Sequence, residues 1–319
     1  MNHLLDLESK LRTAGSAIGR LETAFARNPS RGIQSNILSL RKLQHNLQGE
    51  FAQAADKVGR DVCRYRLLED RPSLRSFVAA LGTFQDAFSQ TFESLRKGSP
   101  RDRRNLSGES YYLSAFQLAY GFPGSFGLAM TIPNSRYSLF PEMLTLLDQA
   151  AITIFDVVTS EASPTSVANT INVMGRAPIA SIYDWAKVNS DNDTGAGVEW
   201  LRGDLTTNNV VIQVPEFRSV YRSLERITDE RTTEERINGV LVGADTRSHR
   251  FHFVASDTDE SIRGTFVDAI SDTQQAQLPA RYKAILTKTT EFKFATNSET
   301  NTYVLERLER LPRIGDISV

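Results

Sequence analysis

Cysteine is almost absent from this sequence of 319 residues, which contains Cys63 alone. A single cysteine cannot build an intramolecular disulfide framework, and such low usage is typical of proteins from a reducing compartment. Long apolar runs are also missing, because none approaches the roughly 18–20 residues that a membrane span needs. We therefore expect a bacterial protein of the cytoplasm with no membrane partner.

Residues that bind metals are scarce as well. His249 and His252 are an odd number of positions apart, so on a strand they would face opposite sides. Zinc needs three or four convergent ligands. Residues 189–193 alternate oxygen-bearing side chains as calcium loops do, but Thr194 and Trp200 stand where such a loop requires glycine and glutamate. The sequence thus predicts no metal site and no cofactor.

Motifs of nucleophilic and phosphate chemistry are missing too. Residues 123–127, PGSFG, approach the nucleophile elbow GxSxG, but Pro123 replaces its first glycine and the segment lies between two predicted strands. No stretch matches a glycine-rich phosphate-binding loop. We predict no catalytic residue, and an enzyme with an unfamiliar carboxylate site is the least favoured hypothesis.

The net charge of -1 hides an uneven distribution. Residues 1–104 carry +7, residues 105–215 carry -6 and residues 216–319 carry -2. A basic region indicates either a polyanionic or acidic partner, or a solvated surface that docks against the acidic middle of the chain. The second interpretation is favoured, and the first stays open.

The most regular pattern lies at the amino terminus. Apolar residues step by three and four through residues 3–27, and a second such seam follows the break at 27–32, drifting where Leu43 takes the place of the heptad position Gln44. We predict an antiparallel coiled-coil helical hairpin, either a stalk or an arm for a homo-oligomer or a protein partner. The candidate interface residues are Leu4, Leu7, Leu11, Ile18, Leu21, Phe25, Ile33, Ile37, Leu40, Leu47 and Phe51.

The middle of the chain is predicted to be a mixed α/β domain organised around a hairpin at residues 107–133. Residues 111–120 are apolar on both alternating faces, which favours a strand in the middle of a sheet. Residues 61–68 predict a half-buried strand, and a phenylalanine-rich helix follows over residues 74–95. Further helices are predicted at 139–158, 163–175, from Pro178 and at 216–228, with a short hairpin of 198–201 and 210–214.

The charged run at residues 228–236 predicts a domain boundary, and nearly everything after it is strand. Five short strands with small, polar links are typical of an SH3-like or OB-like β-barrel. The predicted fold is α+β, with a helical hairpin at 1–59, a mixed domain at 60–228 and a small barrel at 229–319.

Two functions fit these features. The first is a non-enzymatic interaction or assembly protein that uses the coiled-coil arm. The alternative is a nucleic-acid-binding regulatory or defence-system component that uses the basic third or the barrel. Barrel aromatics can stack bases, although their positions favour a core. The candidate nucleic-acid contacts, some on a link at 99–105 expected to be mobile, are Arg64, Arg66, Arg101, Arg103 and Arg104.

Overall fold

The computed structural model describes residues 2–69, 72–122, 127–134, 144–203, 205–267, 278–293 and 298–311. The chain divides into two compact units, Met1–Arg226 and Ile227–Val319. Within the described residues, eight helices and ten strands form two sheets, so the fold is α+β. None of the described helices is long and apolar enough to cross a membrane.

The first unit contains all eight helices. They are α1 (Asn2–Arg27), α2 (Arg31–Lys57), α3 (Leu74–Lys97), α4 (Gly108–Ser114), α5 (Leu146–Thr159), α6 (Pro164–Met174), α7 (Arg176–Asp191) and α8 (Val214–Arg226). Its strands are β1 (Arg60–Leu67), β2 (Gln117–Phe122), β3 (Gly127–Pro133), β4 (Ala196–Arg202) and β5 (Leu205–Ile212). They form one antiparallel sheet in the order β2-β3-β1-β4-β5.

Helices pack on both faces of this sheet because its central strand is apolar on both sides. Val62 of β1 lies in a core with Leu11 of α1 and Phe51 of α2. Tyr65, an odd number of positions further along β1, points to the other face. There it contacts Phe84 of α3, with the ring centroids 5.2 Å apart.

Short polar side chains set the starts of five helices. Each accepts a hydrogen bond from the backbone N–H three residues later, which satisfies one of the unpaired donors of the first turn. Their positions could be read from the sequence as serine or threonine before a helical pattern. These N-cap residues are Ser30, Ser73, Ser107, Thr145 and Ser163.

The predicted long strand at residues 111–120 is wrong in its first half. Ser107 caps α4, which runs through Ser114, and β2 begins only at Gln117. A stretch that is apolar at every position fits a helix as well as a strand, and the cap decides for the helix. β2 does pair with β3 as a hairpin, but it lies at the edge of the sheet and not in its middle. The turn at 123–126 lies outside the described residues.

One further prediction needs correction. The helix predicted from residue 139 begins at Leu146, after the Thr145–Asp148 capping box, and residues 135–143 lie outside the described part of the chain. The charged run at 228–236 directly follows the division between the two compact units and forms the first part of a strand. A strand can carry charged residues on a face that is solvated.

The second unit is a closed five-stranded barrel. Its strands are β6 (Thr228–Asp245), β7 (Arg250–Ala255), β8 (Ser261–Phe266), β9 (Ala280–Lys293) and β10 (Ser298–Arg310), in the order β10-β8-β7-β6-β9. β10 closes the barrel by pairing with β9 and, in parallel, with β8. At Gly264 the carbonyl of Tyr303 and the ring of Phe251 occupy the space that a Cβ would need.

Candidate interaction surfaces

The predicted apolar seam of α1 and α2 is divided between two environments. Six of its residues are buried and the other five are half-buried. The buried ones are Leu7, Leu11, Ile18, Ile37, Leu47 and Phe51, and the half-buried ones are Leu4, Leu21, Phe25, Ile33 and Leu40. The two helices also pack on each other, and Glu22 of α1 forms an ion pair of 2.7 Å with Arg41 of α2.

Part of this seam packs on the sheet. Leu7 and Leu11 of α1 and Phe51 of α2 share a core with Val62 and Tyr120. The rings of Phe51 and Tyr120 meet edge to face, with centroids 5.1 Å apart. These side chains are therefore used inside the chain and are not offered to a partner.

The inward-facing residue of α2 at this turn is Gln44 and not Leu43, one position from the predicted seam. Gln44 is buried at 7% exposure, while Leu43 is 49% exposed. The heptad spacing at Gln44 was therefore the better guide to the inward face, although its side chain is polar. Knobs-into-holes packing of a coiled coil stays a prediction.

A groove runs between α1 and α2. Small side chains form the α1 wall, leucines form the α2 wall, and the cavity has a volume of about 360 Å³. We call this surface the helix groove, lined by Ser9, Lys10, Thr13, Ala14, Ala17, Leu40, Leu43 and Leu47. Because the α1 wall is small, another helix could approach it closely.

The rim of the helix groove carries charges of both signs. Lys10 forms an ion pair of 2.6 Å with Asp6. The hydrogen bond to Asp6, with the charges of Asp6 and Glu50, raises the pKa of Lys10. The rim is thus suited to opposite charges brought by a partner.

The arginines of β1 are held by the sheet. Arg64 forms an ion pair of 3.2 Å with Glu199 on the neighbouring strand. Arg66 is half-buried and lies across Gly197, where a Cβ would be 2.6 Å from its Nε atom. Burial raises the pKa of Tyr120 in spite of the nearby Arg64. Arg64 therefore has a partner within the chain, and Arg66 lies against the backbone of β4.

The link at 99–105 is fastened to the helices around it. Arg101 donates its backbone N–H to the Met174 carbonyl at 2.8 Å and accepts from the Ala177 N–H at 2.9 Å. Arg104 pairs with Asp184 and donates to the Ala180 carbonyl. These contacts do not fit the expected mobile loop. Arg103 is exposed, and its role in nucleic-acid contact, like that of the other four arginines, stays a prediction.

Glu93 of α3 is a buried carboxylate that the sequence pattern missed. It lies 3.0 Å from Lys97 and 3.5 Å from both Arg96 and Arg101. Burial by itself would raise the pKa of Glu93, but these cations outweigh burial and lower it. Glu93 lies outside the phenylalanine stripe of α3, so the apolar pattern did not predict its burial. This cluster joins α3 to the 99–105 link.

Two more buried carboxylates have structural partners. Asp148 accepts hydrogen bonds from Trp200 at 3.0 Å and from Thr145, and it pairs with Arg202. Asp61 accepts from Asn134 at 2.6 Å. Among the described residues there is no group of three or more histidine, cysteine or carboxylate side chains placed to hold a metal ion.

The barrel aromatics lie inside the barrel. Five aromatic residues of the barrel are candidates for base stacking, and all five are buried. They therefore cannot present a face to a nucleobase in this conformation. They are Phe251, Phe253, Tyr282, Phe292 and Tyr303. Any nucleic-acid contact by the barrel would use its outer side chains.

Comparison of the chain with family models, with curated proteins and with solved structures finds no match.

Proposed function

We propose that this protein is a non-enzymatic interaction and assembly protein that self-associates through the helix groove. The observation that supports this is a leucine-walled groove on the outer side of a helix pair whose inner side packs on the sheet. Leu43 is half exposed in that wall. Leu38, also on α2, is exposed as well.

The shape of the groove favours a helix as the occupant. Ser9, Thr13 and Ala17 are spaced by four residues, so they line one side of α1. Side chains this small allow a second helix to lie close, while the half-exposed Leu43 supplies apolar area. Two helix pairs joined in this way would form a four-helix bundle.

A second copy of the chain is the occupant that fits best. A two-fold interface brings the same patch of both copies together, so it must be complementary to itself. The groove offers a protruding Leu43 beside a recess of small residues. Its rim offers Lys10 beside Asp6 and Glu50, so each copy can place a cation against an anion of the other. The cytoplasmic location expected from the single cysteine belongs to this proposal.

The test compares Leu43→Asp with Leu74→Asp in the full chain. Leu74 opens α3 and is 69% exposed outside the groove, so it is a matched control. Burying one leucine contributes about 1.5–3 kcal/mol, so Leu43→Asp should weaken self-association by roughly tenfold or more. Sedimentation equilibrium measures the association constant, and circular dichroism checks that the helices remain.

A wild-type chain that stays monomeric at high concentration would overturn the proposal, as would equal association of the two variants. Leu11 is not suitable for this test because it is fully buried against the sheet. An aspartate there would unfold the helix pair and not report on the groove.

A further inference from the structure

The outer face of the barrel has a concavity where β6, β7 and β8 meet. Its volume is about 640 Å³, and it opens directly to solvent. We call it the barrel concavity. The polar or small residues that carry the argument are Gly243, Asp245, Arg250, His252, Arg263 and Thr265.

Strand register brings these residues into two adjacent rows. Gly243, His252 and Arg263 are directly opposite one another across the three strands. Asp245, Arg250 and Thr265 form the next row, two residues along on the same face. Arg250 and Arg263 are therefore diagonal neighbours on adjacent strands, with Cα atoms about 7–8 Å apart.

Both arginines are exposed, and within the described residues neither has a carboxylate at salt-bridge distance. Asp245, the acidic group on this face, is engaged by its own turn. It accepts hydrogen bonds from the Ser248 hydroxyl at 2.6 Å and from the Arg247 backbone N–H at 2.9 Å. The hydrogen bonds from Ser248 and Arg247 lower the pKa of Asp245, and the charge of Arg250 on the neighbouring strand lowers it further. The turn thus holds the carboxylate through its own hydrogen bonds.

Part of the space in the barrel concavity is there because Gly243 has no side chain. The nearest atom to a Cβ built at this position is the Cβ of His252 at 3.9 Å, so the backbone has space for a side chain that is not there. Leaving the position empty exposes the flanks of Arg250, His252 and Arg263. The concavity thus combines two available guanidinium groups with hydrogen-bonding side chains, a set suited to phosphate oxygens.

We propose that the barrel concavity binds the sugar-phosphate backbone of single-stranded nucleic acid. The site is open and shallow, so it suits a chain that passes across it better than a small ligand that must be enclosed. Two arginines on diagonal positions can each contact a different phosphate of the same strand. Since the barrel aromatics are buried, recognition uses the backbone and carries little base preference.

This proposal does not depend on self-association, because every residue of the concavity lies in the second unit. The sequence made the barrel a candidate for nucleic-acid contact, but it did not predict which cations share a face. Residues 216–319 have a net charge of -2, and the cationic face appears only when β7 and β8 are paired.

The experiment measures fluorescence anisotropy of labelled single-stranded oligothymidylate with the full chain over a range of salt concentrations. We expect wild-type binding that weakens with salt. The double variant Arg250→Gln/Arg263→Gln should bind at least about tenfold more weakly at low salt, and its slope of log affinity against log salt should be smaller by about 1.4. Gly243→Leu should also weaken binding, because it fills the concavity while keeping both charges.

The matched control is Lys293→Gln/Arg307→Gln, which removes two exposed cations of the same unit, each beside a glutamate. Its binding should equal that of the wild type. Absence of wild-type binding, or an equal loss in the control, would overturn the proposal. So would displacement of the oligonucleotide by inorganic phosphate at matched phosphate concentration, which would indicate a free-phosphate site. Binding to phosphatidylserine vesicles without oligonucleotide binding would also overturn it, in favour of a lipid surface.

Discussion

The arginine pairs of the first unit contrast with two exposed arginines on one face of the barrel. In the first unit, several arginines lie beside carboxylates of another helix, strand or link, and many of these pairs are partly or fully buried. The pairs are Arg64 with Glu199, Arg101 with Glu93, Arg104 with Asp184, Arg176 with Asp102 and Arg202 with Asp148. In the barrel, Arg250 and Arg263 are exposed on a concave face.

The comparison shows that regional net charge is a weak guide to a binding surface. Residues 1–104 have the large positive charge, yet Arg64, Arg101 and Arg104 form internal ion pairs. The barrel region is slightly negative, yet it presents two exposed guanidinium groups on one face. Burial demands that a charge be paired, whereas an exposed charge needs no partner.

The largest effect should come from Glu93, the most buried member of these pairs. Replacing Glu93 with glutamine leaves Lys97, Arg96 and Arg101 around a neutral group, and breaking such a buried network costs about 3–5 kcal/mol. Chemical denaturation at neutral pH measures this loss. Glu109→Gln is the control, because Glu109 also pairs with Arg96 but is 69% exposed, and it should cost under about 1 kcal/mol.

The difference in stability between the wild type and Glu93→Gln should depend on pH, and the direction of this dependence can be predicted. The folded pKa of Glu93 lies below its ordinary value of 4.5, so its stabilising contribution is complete above that value. The contribution is lost as the pH falls through the folded pKa. The stability difference between wild type and Glu93→Gln should therefore shrink in acid. A difference that stays constant down to strongly acidic pH would contradict the role of the carboxylate charge.

An intermediate effect is expected at Arg64. Its side chain is 16% exposed and that of Glu199 is 32% exposed, so solvent screens the pair only in part. Arg64→Gln should lower the free energy of unfolding by about 1–2 kcal/mol. Urea denaturation measures it, and a double-mutant cycle with Glu199→Gln separates the pair energy from other losses. Additive single effects would show that the ion pair contributes nothing.

The smallest stability effect should come from the barrel concavity. Arg250→Gln/Arg263→Gln removes two exposed charges and should change stability by no more than about 0.5 kcal/mol. Differential scanning calorimetry checks this on the samples used for oligonucleotide binding. A large drop in the melting temperature would mean that these arginines support the barrel, and the contrast between the units would then fail.

Much of the fold could be predicted from local patterns. The helical seams of α1 and α2 and the five strands after residue 236 have clear periodicities, and strand β1 has a clear alternation. The strand prediction for residues 111–114 was wrong because apolar residues at successive positions fit both the helical period and the strand period. The Ser107 cap, visible in the sequence, would have favoured the helix.

The candidate surfaces were harder to predict. The seam residues were predicted as an interface for a partner, which stays a prediction, and the sequence could not tell which of them meet the sheet. Leu11 contacts the sheet core, whereas Leu43, assigned to the seam, is half exposed. The two residues look alike in the sequence, and only the packing of α1 and α2 on β1 and β2 separates them.

The sequence by itself determined the elements whose signals are local. Periodic apolar residues, N-cap serines and turn residues act over three to four positions, so they specify helices and strands wherever the chain goes. Tertiary structure alone decided which charges are paired and which surfaces are free. Arg104 and Asp184, or Arg250 and Arg263, meet only through folding, because their interaction depends on distance in space and not on separation along the chain.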